Sequence, residues 1–143
     1  MRSIDVTAAW LALFTLAVAC GGTPSARPAG PATLGEREWV LASLGDEIDP
    51  RGAGSRAPTL RFDTATSRAS GFAGCNRFTG AIVLAGDRLA FGPIATTRMA
   101  CPDGMGLEQR FLAMLGATTS YRIADASLLL GGASGPLARF RAP

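Results

Sequence analysis

The segment GCNRFTG at residues 74–80 is the most distinctive stretch of this chain, and a second segment, TTRMAC at residues 96–101, follows it. Gly74 and Asn76 suit a bend with positive φ, because glycine and asparagine tolerate that conformation better than other residues. Phe78 is an apolar residue suited to anchor a core. The two segments therefore predict two separate elements, each of which carries one cysteine.

Cys75 and Cys101 are the only cysteines of the chain apart from Cys20. In an oxidising compartment, a bond between these two would use every thiol left once Cys20 is modified. Closing this loop would stabilise the fold by roughly 3 to 4 kcal/mol through chain entropy. Two other interpretations remain open at this point: a reactive thiol at Cys75, or two buried, unpaired cysteines that act as small core residues.

Short apolar runs flank these segments and are separated by Gly, Pro, Asp and Ser. Alternation between apolar and polar residues is clearest in Leu60-Arg61-Phe62 and Tyr121-Arg122-Ile123, as expected for strands that bury one face. The pattern predicts strands at residues 39–44, 59–63, 68–73, 80–84, 88–91, 94–99, 120–124, 127–130 and 137–141.

One segment has a different period, because apolar residues recur at helical spacing from Leu107 to Leu115 with polar residues at 108–110. Gly116 follows as a stop signal, so the segment predicts one amphipathic helix. Several short strands and one helix indicate an α+β domain that is mainly antiparallel β. We expect a small curved sheet or partly open β-barrel packed with one α-helix.

The N-terminus has the organisation of an export signal. Arg2 and the free amine give it a positive start, and residues 6–19 form an uncharged run of signal-peptide length, too short to span a bilayer as a helix. The run ends in LAVAC at residues 16–20, which resembles the lipobox of bacterial lipoproteins. This resemblance implies cleavage before Cys20 and lipidation of that cysteine; an ordinary secretory signal is the alternative.

Glycine and proline dominate the stretch that follows, which is typical of a linker. We therefore expect a lipoprotein signal peptide at residues 1–19, a lipid-anchored linker at residues 20–35 and one domain at residues 36–143. Gly21 stands where an aspartate retains lipoproteins in the inner membrane of many Gram-negative bacteria. By analogy, the expected location is the cell envelope, at the outer membrane and facing the periplasm.

The composition argues against several classes of function. The chain has 143 residues, a net charge of +3 and no histidine. Its arginines are interspersed with acidic residues, which is typical of a solvated mixed surface and not of a nucleic-acid site. Without histidine, Ser-His-Asp and Cys-His mechanisms are excluded. We expect no enzyme activity, no cofactor, no metal site and no nucleic-acid partner.

The acidic residues of the domain are interpreted as structural and not as catalytic or metal-binding. The densest acidic group, at residues 46–49, reads as a turn. The remaining carboxylates considered fall at strand ends, at turns or at the start of the helix, where they cap backbone groups and aid solubility. They are Asp63, Asp87, Asp103 and Glu108.

GCNRFTG and TTRMAC together resemble the META domain, or HslJ-like, family. The resemblance extends over roughly residues 36–140 and includes EWVL at residues 38–41, the helix, and LLL at residues 128–130. It implies a small domain with an antiparallel sheet curved around a helix, often behind a lipoprotein signal. The family is associated with heat-shock induction, novobiocin tolerance and, in some parasites, virulence and motility, without an established enzymatic activity.

Two functions are compatible with these features. The first is a non-enzymatic envelope lipoprotein that binds an envelope protein or maintains the envelope under stress, with Asn76, Arg77 and Arg98 as surface contacts. The arginines could instead bond carbonyls of the bend or acidic neighbours. The second function is a carrier of a lipid or small apolar ligand, since the family looks similar to pilot lipoproteins that hold acyl chains. The ligand cavity of such a carrier would be lined by Phe62, Phe72, Phe91, Phe111 and Leu115. The alternative is that these residues fill a dry core.

Overall fold

The computed structural model describes residues 34–35 and 37–143 of the protein. The predicted signal peptide and lipidation site at Cys20 lie outside the described residues. An α-helix, α1 (Met105–Ala117), and a short 3-10 turn, Ala53–Ser55, accompany the strands. The strands are β1 (Glu38–Leu44), β2 (Glu47–Ile48), β3 (Thr59–Asp63), β4 (Arg68–Phe72), β5 (Arg77–Ala85), β6 (Arg88–Thr96), β7 (Ser120–Ala124), β8 (Ser127–Gly132) and β9 (Gly135–Arg141).

The strands form one antiparallel sheet that closes on itself. Its order is β2-β1-β3-β4-β5-β6-β7-β8-β9, and β1 pairs additionally with β9. The junction between β6 and β7 is narrow, because its ladder consists of the single pair Arg88 and Ser120. The predicted fold class, a curved antiparallel sheet packed with one helix, is confirmed.

The alternation along β3 shows how the sequence builds the core. Leu60 and Phe62 are 0% and 2% exposed, whereas Arg61 between them points outward into solvent. This inside-outside pattern follows from the two-residue period of a strand. Trp39 on β1 is fully buried, and its indole N–H donates to the carbonyl oxygen of Leu34 at 3.2 Å. The chain that enters the domain is thereby tied to the core.

Helix α1 buries its apolar stripe against strands from both halves of the ring. Phe111 is fully buried, with its ring centroid 5.7 Å from that of Phe78 on β5 and 6.2 Å from that of Phe140 on β9. These two strands lie on opposite sides of the closed sheet. Phe111 therefore joins the helix and both sides of the ring in one core.

The structure corrects the prediction of two separate strands at residues 88–91 and 94–99. A single strand, β6, spans the region, and its pairing with β5 shifts so that Gly92 and Pro93 stand opposite Ala81. Such a bulge accommodates proline, which has no N–H to donate to the ladder. The strand β2, within the predicted acidic turn, was not predicted.

Candidate functional site

The bend between β4 and β5 is formed by Gly74, Cys75 and Asn76. The N–H of Ala73 donates to the carbonyl oxygen of Asn76 at 2.8 Å and closes the bend. Gly74 has a φ of +127°, and a Cβ there would lie 3.1 Å from the carbonyl oxygen of Gly104. Both the conformation and the close approach of the backbone favour glycine at this position.

A disulfide connects the bend to the segment that precedes α1. The sulfur atoms of Cys75 and Cys101 are 2.04 Å apart, and the two residues are 26 positions apart in the sequence. The paired interpretation of these cysteines therefore holds in the structure, whereas the interpretations as a reactive thiol or as unpaired core residues do not.

Asn76 holds the two chain segments together through its side-chain amide. Its Oδ1 accepts from the N–H of Met99 at 2.7 Å and from the hydroxyl of Thr97 at 2.9 Å. Its Nδ2 donates to the carbonyl oxygen of Met99 at 3.1 Å and to Glu108 at 3.0 Å. Because these four bonds use the whole capacity of an amide and the residue is 3% exposed, the prediction of Asn76 as a surface contact is wrong.

Glu108 joins the helix to the bend. Its Oε2 accepts from the N–H groups of Cys75 at 3.2 Å and of Asn76 at 2.5 Å, and its Oε1 accepts from the Asn76 amide. Its interpretation as a capping or solubilising residue is wrong, because it is 6% exposed and its partners lie 32 and 33 residues away in sequence. The sequence carried a signal: Glu108 lies on the buried stripe, three residues before Phe111 and seven before Leu115.

We refer to Cys75, Asn76, Met99, Cys101 and Glu108 as the disulfide junction. Directly beside it, on the outer face of the sheet, lies a groove of about 790 Å³. Residues that pair across five neighbouring strands form one row along this groove. The row consists of Glu38, Arg61, Ser70, Thr79 and Ala95.

Three arginines line this groove, which we call the basic groove: Arg56, Arg61 and Arg77. Arg56 lies over the ring of Phe72, with its guanidinium carbon 4.1 Å from the ring centroid, in a cation–π contact. Within the described residues, none of the three forms an ion pair with a carboxylate. The carboxylate that lines the groove is Glu38, which stands opposite Arg61 in the sheet.

In the described part of the chain, three arginines outside the groove contact carboxylates. Arg51 contacts Asp49 at 2.6 Å, and Arg110 contacts Glu47 at 2.5 Å. The third of them is Arg141, 3.9 Å from Asp49. The hydrogen bond from Arg51 is the main cause that lowers the pKa of Asp49 below its ordinary value of 3.8. The arginines of the basic groove therefore differ from these paired arginines.

The predicted contact arginines have different positions. Arg77 is exposed and lines the basic groove, beside Thr97, whose N–H donates to the Arg77 carbonyl oxygen at 3.0 Å. Arg98 is also exposed but does not line the groove. Sequence reasoning missed Arg61, although its outward position was visible in the alternation, and Arg56, for which the irregular segment before β3 offered no pattern.

The five residues predicted to line an apolar cavity do not form one site. Phe62, Phe111 and Leu115 belong to the central core cluster, and Phe91 packs against that cluster. Phe72 is different, because it lies two residues beyond Ser70 on β4 and therefore on the outer face, where it lines the basic groove. Its assignment to an internal cavity is wrong.

Two features are absent from the described residues. No group of three or more His, Cys, Asp and Glu side chains is placed so that it could hold a metal ion. In the same part of the chain, no helix has the length and apolar character needed to cross a membrane.

The closed antiparallel sheet, the central helix and the disulfide junction define the class of this protein: a small, disulfide-bonded α+β domain. The chain belongs to the META domain family, whose model matches residues 32–143.

Two solved structures are similar to the chain, both determined by NMR. One is 25% identical with a TM-score of 0.63 and covers 80% of this chain and 95% of its own. The other, a protein from Burkholderia xenovorans, has the same identity and TM-score and covers 98% of this chain and 99% of its own. A comparison with curated proteins found no match.

Proposed function

We propose that this protein is a non-enzymatic, lipid-anchored domain of the bacterial cell envelope that binds a partner protein through the basic groove, in a stress-related or envelope-maintenance role. The observation that carries this proposal is the placement of Arg56, Arg61 and Arg77 in one groove without carboxylate partners among the described residues. The guanidinium group is a planar fork of donors that suits recognition of carboxylates and phosphates.

The support beneath the groove is rigid, which favours binding. Arg61 and Arg77 lie on strands paired on both sides, and the disulfide junction begins directly before Arg77. A site that is ordered before its partner arrives loses less conformational entropy on binding. The position of Arg61 and Arg77 on paired strands therefore supports the proposed role.

The export features support an envelope location. LAVAC at residues 16–20 resembles a lipobox, and acyl chains on Cys20 would provide stable anchoring. Disulfides persist in oxidising compartments such as the periplasm. The Cys75–Cys101 bond thus supports an exported domain, and the outer membrane, facing the periplasm, is its proposed location.

The alternative function, a carrier of a lipid or small apolar ligand, has no specific observation in its favour. Phe111 contacts Phe78 and Phe140 in the middle of the ring, so its side chain is engaged in the core and not in lining an empty space. Native mass spectrometry of the purified lipoprotein would reveal a copurified lipid and revive this alternative.

The anchor is tested by intact mass of the protein isolated from bacterial membranes. We expect the mass of residues 20–143 plus acyl chains. A mass without acyl chains would contradict the anchored part of the proposal.

The binding part is tested by site-specific photocrosslinking in cells. A photoreactive residue at Ser70, inside the groove, should give a discrete adduct that disappears when Arg61→Gln and Arg77→Gln are introduced. Val83 is the control position, since it is 68% exposed and does not line the groove. The same adduct from both positions, or none from Ser70, would contradict binding at the groove.

A further inference from the structure

We infer that the ligand of the basic groove is an extended, acidic segment of the partner protein. This inference rests on the proposed function, because it names the chemistry that the same site would recognise. Its basis is the arrangement of charges, hydroxyl groups and the covered aromatic ring along the groove.

The first argument is the spacing of the positive charges. Arg61 on β3 and Arg77 on β5 are two strands apart and offset by two residues along the strand, so their Cα atoms are about 12 Å apart by ordinary sheet dimensions. Arg56 lies over Phe72 on the strand between them. In an extended peptide, side chains at i and i+4 share a face and are about 13 Å apart. Carboxylates on one face of such a segment match the spread of the arginines.

The second argument is the neutral hydrogen-bonding surface between the charges. Thr59, Ser70, Thr79, Thr96 and Thr97 all line the groove. The hydroxyls of Thr59, Thr79 and Thr97 already bond groups of this domain. Those of Ser70 and Thr96 have no partner among the described residues. Because hydroxyl groups donate and accept, these two suit the N–H and C=O groups of an extended backbone. Ser70 occupies the centre of the row that crosses the five strands.

The third argument distinguishes a peptide from a nucleic acid. Proteins that bind single-stranded nucleic acids present aromatic faces on which bases stack. Two aromatic residues line this groove, Phe72 and Phe78. The ring of Phe78 packs in the core, and the ring of Phe72 is covered by Arg56, so neither offers an open face to a base. Glu38 at one end of the row would also repel a phosphate of a continuous backbone, whereas a peptide can have a neutral residue at that point.

Two occupants from this protein itself fit poorly. The stretch at residues 20–33 carries Arg27 and no acidic residue, so it offers no carboxylate to the groove. A second copy would present the acidic group at residues 46–49, but Glu47 and Asp49 are already paired with Arg110 and Arg51. An acidic segment of another protein is the occupant that the charges favour.

The test is fluorescence anisotropy with the exported protein purified from membranes in detergent. The probe is a labelled ten-residue peptide with Glu at every second position and Ser or Val between them, so that all carboxylates share one face of the extended chain. The matched peptide has Gln in place of every Glu. We expect the acidic peptide to bind at least about tenfold more tightly. Arg61→Gln and Arg77→Gln should each weaken its binding by about tenfold, the effect of losing one charge-assisted hydrogen bond.

Arg88→Gln is the matched control, because Arg88 is exposed on β6 and does not line the groove. Equal binding of the two peptides, or an equal loss in the Arg88 variant, would overturn the inference. So would stronger, Arg61-dependent binding of inorganic phosphate, phosphatidylglycerol vesicles or an oligonucleotide. Sedimentation experiments that show Arg61-dependent self-association would also overturn the inference, because the ligand would then be a second copy of this chain.

The crosslinking experiment separates the two levels of the proposal. If Ser70 gives an arginine-dependent adduct but the acidic peptide shows no preference, the site is right and the ligand class is wrong. If neither experiment shows binding, the proposed function fails as well.

Discussion

Glu108 is a carboxylate that the fold encloses without a neighbouring guanidinium among the described residues. Two backbone N–H groups and one side-chain amide satisfy its oxygens. Because burying a polar group costs free energy unless it is hydrogen-bonded, this contact requires a hydrogen-bond acceptor at both side-chain oxygens of Glu108. It makes the position of the helix depend on the shape of the bend.

Replacing Glu108 by Gln should destabilise the domain by about 2 kcal/mol. Both oxygens of Glu108 accept from N–H groups, so the NH₂ group of Gln would face a donor and leave it without an acceptor. Glu47→Gln is the control and should cost less than about 1 kcal/mol, since Glu47 forms an exposed ion pair. The measurement is urea unfolding with the disulfide intact. Equal losses in the two variants would show that the buried carboxylate has no special role.

Tyr121 offers a titration that can be read directly. It is 4% exposed, and burial, together with the charge of Asp87, raises its pKa above the ordinary value of 10.0. Folding therefore favours the protonated phenol. The corresponding stability is complete below pH 10 and is lost as the pH rises through the folded-state pKa.

Since Tyr121 is the only tyrosine of the chain, tyrosinate absorbance reports on this group alone. We expect its midpoint to lie above 10.0 in the folded protein and to fall toward 10.0 in urea. The decline in stability above pH 10 should be shallower in Tyr121→Phe. Identical midpoints in the folded and unfolded protein would contradict the burial argument.

At the scale of elements, helix α1 begins where three chain segments meet at glycines. Gly104, which precedes the helix, has a φ of +109°, and a Cβ there would lie 2.4 Å from the carbonyl oxygen of Gly74 and 2.7 Å from the nitrogen of Ala53. The N–H of Ala53 donates to that same Gly74 oxygen at 2.7 Å. The start of the helix is thus in backbone contact with the bend and with the segment before β3.

Gly104→Ala should destabilise the protein by about 2 kcal/mol or more, because it adds conformational strain and a collision with backbone atoms. Gly106→Ala, two residues further on, should stabilise it by about 0.5–1 kcal/mol, since a Cβ there meets nothing within 4 Å and alanine favours the helix. Thermal and urea unfolding give both values. A similar effect of the two substitutions would refute the proposed packing of the helix start.

At the scale of the whole molecule, the disulfide acts on the unfolded chain as much as on the fold. It closes a loop between residues 26 positions apart, which by chain entropy contributes about 3.5 kcal/mol. The double variant Cys75→Ser with Cys101→Ser should lose stability of this order. Reductant should destabilise the disulfide-bonded protein and leave the double variant unchanged. The measurement is urea unfolding, and equal midpoints of the two proteins without reductant would contradict this contribution.

The ring also depends on contacts that no single element contains. Strand β1 pairs with β3 on one side and with β9 on the other, so that the first and last strands of the ring meet. Phe111 then connects β5 and β9 through the core. Contacts between distant segments thus close the ring, and the strands that carry Arg61 and Arg77 are paired on both sides.

By itself, the sequence determined the helix, the class of fold and the strands other than β2 and the continuous β6, because periods of two and 3.6 residues are local and follow from which face is buried. It also pointed to the cysteine pair through the small number of thiols. Only the tertiary structure decided that Asn76 is enclosed, that Glu108 crosses to the bend and that Arg56 and Arg61 join Arg77. These contacts join residues far apart in the chain, and their geometry depends on the register of several strands and on the approach of the helix, which local periodicity does not specify.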